Sequence, residues 1–329
     1  AEAIERLERF LDVRPNLVAH DLHPGMLSTR YARERAAQEK VAVQHHHAHV
    51  AAAAAEHGLT GPVLGIAYDG TGLGPDGAAW GAEVLWVEDG RYERVATWRP
   101  MPLAGGDLAI EQPWRVALAW LLDAFDGDPP LEDLALFDQV SSRALDVARQ
   151  QVEKGVNAPL AHGMGRRFDA LAALALRRPA VTYEGQLAMA WEQSADGVVA
   201  PPYPVDLDYP VDLDRSTSTW QVDDRPLLRA AVADLCAGHE VAEVSARFHA
   251  AVVAATAEIV RETLAMRGPL PVVATGGCFV NARLAEGLSR TLGDSVNLCL
   301  HRRVPPGDGG IALGQAVVAN ALASAGLGA

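Results

Sequence analysis

The chain has 329 residues, 49% of them apolar and 21% charged, enough for one large domain or two lobes with a substantial core. Its 42 acidic and 28 basic side chains leave a net charge of −14, which argues against a broad nucleic-acid surface, since phosphate backbones are met by clustered Lys and Arg. No apolar run reaches the ~20 residues of a spanning helix, no signal or transit pattern opens the chain, and three distant cysteines, Cys236, Cys278 and Cys299, suggest neither a disulfide framework nor a cysteine zinc site. A cytoplasmic location, with no membrane and no nucleic-acid partner, is the expectation.

The first residues carry no initiator Met and already follow a helical pattern, Ile4, Leu7 and Leu11, which reads as a fragment. PNLVAHDLHP predicts a short buried strand ending in polar residues, TRYARERAAQEK a polar helix, and VAVQH a second strand, an alternation that implies a parallel sheet. From about residue 61 come three strand-like runs, VLGIAYDG, AAWGAEVLWVEDG and YERVATW, joined by Asp-Gly and Gly-rich turns as in an antiparallel meander. Residues 110 to 200 are mostly helical in pattern. A tandem hexapeptide follows, YPVDLD at 203–208 and again at 209–214, whose prolines and alternation fit an edge hairpin or a surface loop without chemistry. The last third returns to α/β: a helix from about Val241 to Met266, strand PVVATGG, helix NARLAEGLSRTL, strand SVNLCLH, the loop RRVPPGDGG and a final helix IALGQAVVANAL. A three-stranded meander followed by parallel βα units is the plan of one ribonuclease-H-like lobe. Residues 12 to 59 look like the second half of another.

Four of the eleven histidines fall within VQHHHAHV, at a strand-to-helix turn. On a helix His45 and His49, four apart, project from one face and could share a metal ion; His46 and His49, three apart, could do the same, so spacing leaves the pair open and two further ligands must come from elsewhere. Asp69 stands where VLGIAYDGTG closes, beside Gly70, Thr71 and Gly72, at a strand's carboxyl end where α/β sheets bind ligands, although an Asp-Gly hairpin turn has the same spelling. Asp308, just before the last helix, could equally be an N-cap. Gly276 and Gly277 at a helix entrance suit a phosphate or a nucleotide edge, Asn281 could read a ribose or a carbonyl, and Gly165, Asp169 and Gly185 are further contacts near helix starts.

Taken together, VAHDLHPGMLSTRYA, VQHHHAHVAA, AYDGTGLGPDGAAWGAE, GRRFDA, YEGQ, TGGCFVN and PPGDGGIALGQA resemble, in order and through most of the chain, the carboxy-terminal domain of the HypF family of hydrogenase-maturation carbamoyltransferases. The resemblance implies an α/β fold of the actin and sugar-kinase superfold: two ribonuclease-H-like lobes around a cleft, the first lacking its N-terminal half, with residues 1–59 in the first lobe and 60–329 in the second, the latter carrying a mostly helical insertion at about 107–235. It implies a divalent metal, Fe²⁺ or Zn²⁺, with Mn²⁺ also compatible, on His45, His49, Asp69 and Asp308. Two imidazoles and two carboxylates suit such ions. Asp169, Gly185, Gly276, Gly277 and Asn281 would hold the adenosine part of ATP-derived carbamoyl adenylate, and Asp69 and Thr71 would face its reactive end. The acceptor would be the C-terminal cysteine of HypE. The remaining HypF domains, YrdC-like, zinc-binding and acylphosphatase-like, are absent from this chain and would be its other partners.

Two rivals stand beside that reading. One is O-carbamoylation of a small molecule by the related antibiotic-modifying enzymes, against which the DLHP and STRYA stretches weigh; the other is a non-catalytic nucleotide-binding docking module with a structural metal. A tRNA-modifying relative is disfavoured by the acidic balance, and a sugar or acetate kinase would not need the histidine cluster.

Overall fold

The computed structural model describes residues 2–208 and 219–326. It begins with α1 (Glu2–Leu11), β1 (Leu17–Asp21), α2 (Leu27–Glu34), β2 (Glu39–Val43) and α3 (His45–Glu56). β1 and β2 pair in parallel, with Asp21 opposite Val43, so both strands end at one level and deliver Asp21 beside the start of α3. The helix α2 ends at Glu34, earlier than TRYARERAAQEK suggested, because the N–H groups of Gln38 and Glu39 both donate to the Asn16 carbonyl and draw the chain into β2.

The larger sheet is built on β3 (Val63–Leu73), β4 (Ala79–Glu88) and β5 (Arg91–Trp98), an antiparallel meander. Strand Val272–Thr275 pairs in parallel with β3, and Leu298–Leu300 in parallel with Val272–Thr275. At the other edge Trp220–Asp223 runs parallel to β5 and carries Asp206–Asp208 as an antiparallel outer strand. The first YPVDLD copy thus supplies an edge strand, while the second lies outside the described residues. The stretch between β5 and Val241 is largely helical and also extends the sheet, its Asp206–Asp208 strand taking the edge position that the prolines and alternation of the first YPVDLD copy allowed.

Side-chain alternation along β3 explains how the sheet is covered on both faces. Leu64, Ile66 and Tyr68 enter one core beneath helices Trp114–Ala124, Met164–Leu176 and Val241–Arg267. Val63 and Ala67 enter a second core with Val50 and Ala53 of α3. On that face Gly65 has no side chain because a Cβ would lie 2.2 Å from a Val50 methyl.

The helix α3 is gripped from its other side by the final helix, Ile311–Ser324, where a Cβ on Gly314 would stand 1.7 Å from the Ala48 carbonyl oxygen. Val41, Val43, Ala48, Ala51, Val318 and Ala319 form a third core there, joining the small sheet to the last helix. The alanine run of α3 therefore has two physical reasons: high helix propensity, and side chains small enough for close packing on both flanks. Residues 45–53 of α3 are buried throughout. The histidines are fixed by this packing.

Candidate functional site

Gln44 caps α3 in an extended conformation, its Oε1 accepting from the His47 N–H at 2.8 Å. Its amide nitrogen donates to His46 Nδ1 at 3.1 Å, which turns His46 away from the cleft, and the His47 ring packs against Tyr92. His45 and His49 remain on the cleft face, their ring centroids 4.9 Å apart. Spacing left two pairs open; the structure brings His45 and His49 together on that face.

His45 Nδ1 donates to Asp21 Oδ2 at 2.8 Å, leaving Nε2 to face the cleft. Asp21 is itself held, with Oδ1 accepting from the His23 N–H at 2.8 Å. A carboxylate that fixes the tautomer and ring orientation of a histidine in this way is the usual support of a metal-binding imidazole.

Asp69 is presented by a break in the β3–β4 ladder between Tyr68 and Gly72. Such a bulge re-aims side chains. The strand does not end at Asp69 as its Asp-Gly spelling suggested; it runs on to Leu73, and the turn comes after it, where the Gly74 N–H donates to the Ala78 carbonyl. Asp69 Oδ1 accepts from the N–H groups of Gly70 (2.8 Å) and Gly277 (3.2 Å), so Oδ2 is the oxygen turned toward the histidines. Asp308 does not stand at a cap position: it opens the 3₁₀ turn Asp308–Gly310, with Gly307 before it and Gly310 at the N-cap of the last helix. Asp308 Oδ1 lies 3.4 Å from His45 Nε2 and 3.6 Å from His49 Nε2.

Asp69 Oδ2 is 3.4 Å from His45 Nε2 and 3.2 Å from His49 Nε2, and one donor atom from each of the four residues falls within 4.8 Å of all the others. Donors ~2.1 Å from a shared ion stand roughly 3.0–3.4 Å apart in octahedral or tetrahedral arrangements, close to the observed spacings. Electrostatics point the same way. Burial opposes charge on His45, yet Asp21, Asp308 and Asp69 raise it to about 11; burial likewise opposes charge on His49, which Asp308 and Asp69 raise. Asp69, despite burial, is held well below the ordinary carboxylate range by His45 and His49, and Asp308 is lowered by the same two rings. The rings and the carboxylates thus favour one another's charged forms, and a divalent cation on these four residues would compete with the imidazole protons for the same carboxylates. His46 and His47 behave oppositely: burial, reinforced for His46 by the charge of His45, pushes His46 well below its usual value, and burial pushes His47 to about 4.

The loop bearing Asp308 is tied to the far end of α3. Glu56 Oε1 accepts from the N–H groups of Arg302, Arg303 and Val304, and its Oε2 meets His301 Nδ1 at 2.9 Å. One helix thus carries two donors at its start and anchors the loop of a third at its end.

A cleft of about 410 Å³ opens from His45, Asp69 and Asp308 past Thr71 to Asp169, Gly185 and Gly277. It continues into a pocket of about 270 Å³ walled by Phe168, Ala188, Met189, Val280 and Asn281. Thr71, Asp169, Gly185, Gly277 and Asn281 therefore line one continuous depression. Several are already engaged: the Gly277 N–H serves Asp69, Asn281 Oδ1 caps helix Ala282–Leu292 through the Leu284 N–H at 2.8 Å, and Asn281 Nδ2 meets His249 Nε2 at 3.0 Å. Gly276 lies behind the cleft with φ +95°, where a Cβ would strike the Tyr68 carbonyl at 2.2 Å, and a 3₁₀ turn, Gly277–Val280, separates the Gly-Gly pair from the helix. Its glycine serves close backbone approach. Asp169 is buried beside Arg166 at 3.1 Å, and burial raises its carboxyl against that partner's charge.

Sequence reasoning assigned no role to Asp21, Arg166, Glu184 or Glu56. Asp21 lies within DLHP, Arg166 within GRRF and Glu184 within YEGQ. Spacing along a single sequence shows no contact between them.

Residues 65–315 match the family model for the second subdomain of a carbamoyltransferase Kae1-like domain, and residues 1–56 match that of the HypF Kae1-like domain. Carbamoyltransferase HypF2 of Cupriavidus necator is 39% identical over 97% of this chain, which covers 41% of that protein. A carbamoyltransferase HypF homolog of the same organism is 37% identical over 97% of the chain and is itself covered to 81%. A crystal structure of full-length HypF in the phosphate- and nucleotide-bound form superposes with a TM-score of 0.91 at 38% identity, covering 100% of this chain and 42% of that one. The fold is accordingly Kae1-like, of the actin and sugar-kinase type. The chain spans about two fifths of the length of HypF2 and of the full-length HypF structure.

Proposed function

Because the chain belongs to the HypF carbamoyltransferase family, we propose that it is the transferring unit of hydrogenase maturation, passing a carbamoyl group from carbamoyl adenylate to the C-terminal cysteine of a HypE-type protein. The observation that carries this reading is the convergence of His45, His49, Asp69 and Asp308 within 4.8 Å at the mouth of a cleft that continues toward Asp169, Gly185 and Gly277. Held by those four residues, a divalent cation such as Fe²⁺ or Zn²⁺ would supply Lewis-acid polarisation of a phosphate or carbamoyl oxygen.

The chain's own residues do the rest. Phe168, Ala188, Met189 and Val280 offer an apolar slot for a base, and Asp169 and Gly185 lie between that slot and the metal end. Thr71, exposed on the bulge after Asp69, is placed to donate its hydroxyl to the reacting carbonyl. The acceptor thiolate attacks the carbamoyl carbon, the C–S bond forms as the C–O bond to the phosphate breaks, and AMP leaves with the electron pair. The thiol proton goes to solvent.

The nucleophile enters in trans on this reading. Burial, followed by the charge of Asp69, pushes the Cys278 thiol well above its ordinary value, which suppresses the thiolate that nucleophilic attack needs. The adenylate itself would come from the YrdC-like, zinc-binding and acylphosphatase-like domains of the full-length relatives. No helix among the described residues is long and apolar enough to cross a membrane.

The test supplies carbamoyl adenylate and a HypE-type partner to the metal-loaded chain and follows the partner's C-terminal peptide by mass. A carbamoyl-sized gain on the cysteine supports the proposal. A gain on this chain that precedes the partner's and is required for it would replace direct transfer with an internal carbamoyl intermediate.

A further inference from the structure

Arg166 is buried, with 3% of its side chain exposed, yet it is only partly satisfied. Its Nη2 lies 3.1 Å from Asp169 Oδ2 and 3.4 Å from Glu184 Oε1, whereas Nε and Nη1 have no hydrogen-bond partner. Leaving two nitrogens of a charged guanidinium buried and unmet is costly. Arg166 also borders the cleft, next to Gly70, where a Cβ would come within 3.0 Å of Nη2. Gly70 thus keeps open the space between the guanidinium and the bulge that carries Asp69 and Thr71.

Charge narrows what belongs there. The cleft wall carries Asp69, Asp169, Glu184 and Asp308, and Arg166 is the one Lys or Arg side chain lining it among the described residues. A ligand phosphate placed between the Asp169–Gly185 end and the metal end would pass alongside Arg166. A guanidinium already oriented by two carboxylates, with Nε–H and Nη1–H spare, offers directed donors to a tetrahedral oxyanion.

We infer that Arg166 is the phosphate-recognition residue of this cleft, its incompletely satisfied guanidinium donating to the phosphate that links the nucleoside to the transferred group. This rests on the nucleotide reading of the cleft given above. Asp169 and Glu184 act as positioning residues, holding the guanidinium at the cleft wall through Nη2.

The test compares AMP, adenosine and inorganic phosphate by calorimetry on the Zn²⁺-loaded chain, for the wild type, Arg166→Gln and Arg166→Lys. The wild type is expected to prefer AMP over adenosine. Arg166→Gln should reduce that preference about 10- to 100-fold, as for loss of charged hydrogen bonds, with adenosine affinity unchanged, which also shows that the pocket remains folded. Arg166→Lys keeps the charge beside Asp169 but loses the planar fork, and should retain only part of the preference. Inorganic phosphate that competes with AMP but not with adenosine would locate the same subsite. An Arg166→Gln variant that keeps the full AMP preference overturns the assignment while leaving the nucleotide reading standing, and so does an equal loss of AMP and adenosine binding in both variants. A wild type that binds neither AMP nor adenosine overturns both.

Discussion

Asp21 accepts the Nδ1 proton of His45 at 2.8 Å across the ends of β1 and α3, and this contact determines which face of the imidazole meets Asp69 and Asp308. With Nδ1 occupied, only Nε2 is free to act as a ligand. Asp21→Ala should therefore weaken Zn²⁺ binding about 10- to 100-fold with little change in secondary structure. Competition against a chromophoric chelator measures it, and unchanged affinity would remove Asp21 from the site.

Close packing of α3 is a second requirement. Gly314→Ala places a methyl where the Ala48 carbonyl oxygen already stands, 1.7 Å away, and since that neighbour is backbone the two helices must separate. The expected loss is about 1–3 kcal/mol, read by denaturant melts. Weaker metal affinity should accompany it, because the displaced helix carries His45 and His49.

The Glu56 anchor predicts a pH dependence. Although burial opposes its charge, the three backbone N–H groups of Arg303, Val304 and Arg302, with His301, hold Glu56 at about 2 against an ordinary 4.5. A carboxylate lowered on folding adds stability that is complete above the unfolded value and disappears as pH falls toward the folded one. The melting-temperature gap between wild type and Glu56→Gln should be widest near neutrality and should narrow as pH drops from about 4.5 toward 2. A constant gap would mean that Glu56 acts through packing alone.

Cys278→Ala should leave transfer to the HypE-type acceptor within about twofold of wild type, because the thiol is held in its protonated form by burial. Rates followed by intact mass decide this. A loss of several hundredfold in a folded variant would give the thiol a covalent part in the reaction.

Much of the site was legible in the sequence, but only as candidates. Four histidines after an apolar strand raised the expectation of a metal, and the helical period allowed His45 with His49 or His46 with His49; which pair faces the cleft depends on Gln44, whose side chain both caps α3 and engages His46. Asp69 resembled a hairpin turn because a bulge is defined by the partner strand, and β4 is not visible from the local spelling. Asp308 resembled an N-cap until the loop it sits on was brought back to α3 by Glu56, 246 residues from Arg302 in the chain. Gly276 and Asn281 are conspicuous in sequence for ligand binding, yet close backbone approach and helix capping account for much of what they do. Asp21 and Arg166 were passed over because their importance lies in partners, respectively His45 and Asp169, that periodicity alone does not bring together.

A single divalent ion held by His45, His49, Asp69 and Asp308 is tested most directly by X-ray absorption of the chain loaded with one equivalent of Zn²⁺. The expected spectrum has a first shell of nitrogen and oxygen at about 2.0–2.2 Å, with imidazole scattering that disappears in His45→Ala/His49→Ala. A sulfur shell near ~2.3 Å, or a spectrum the double substitution leaves unchanged, would contradict it.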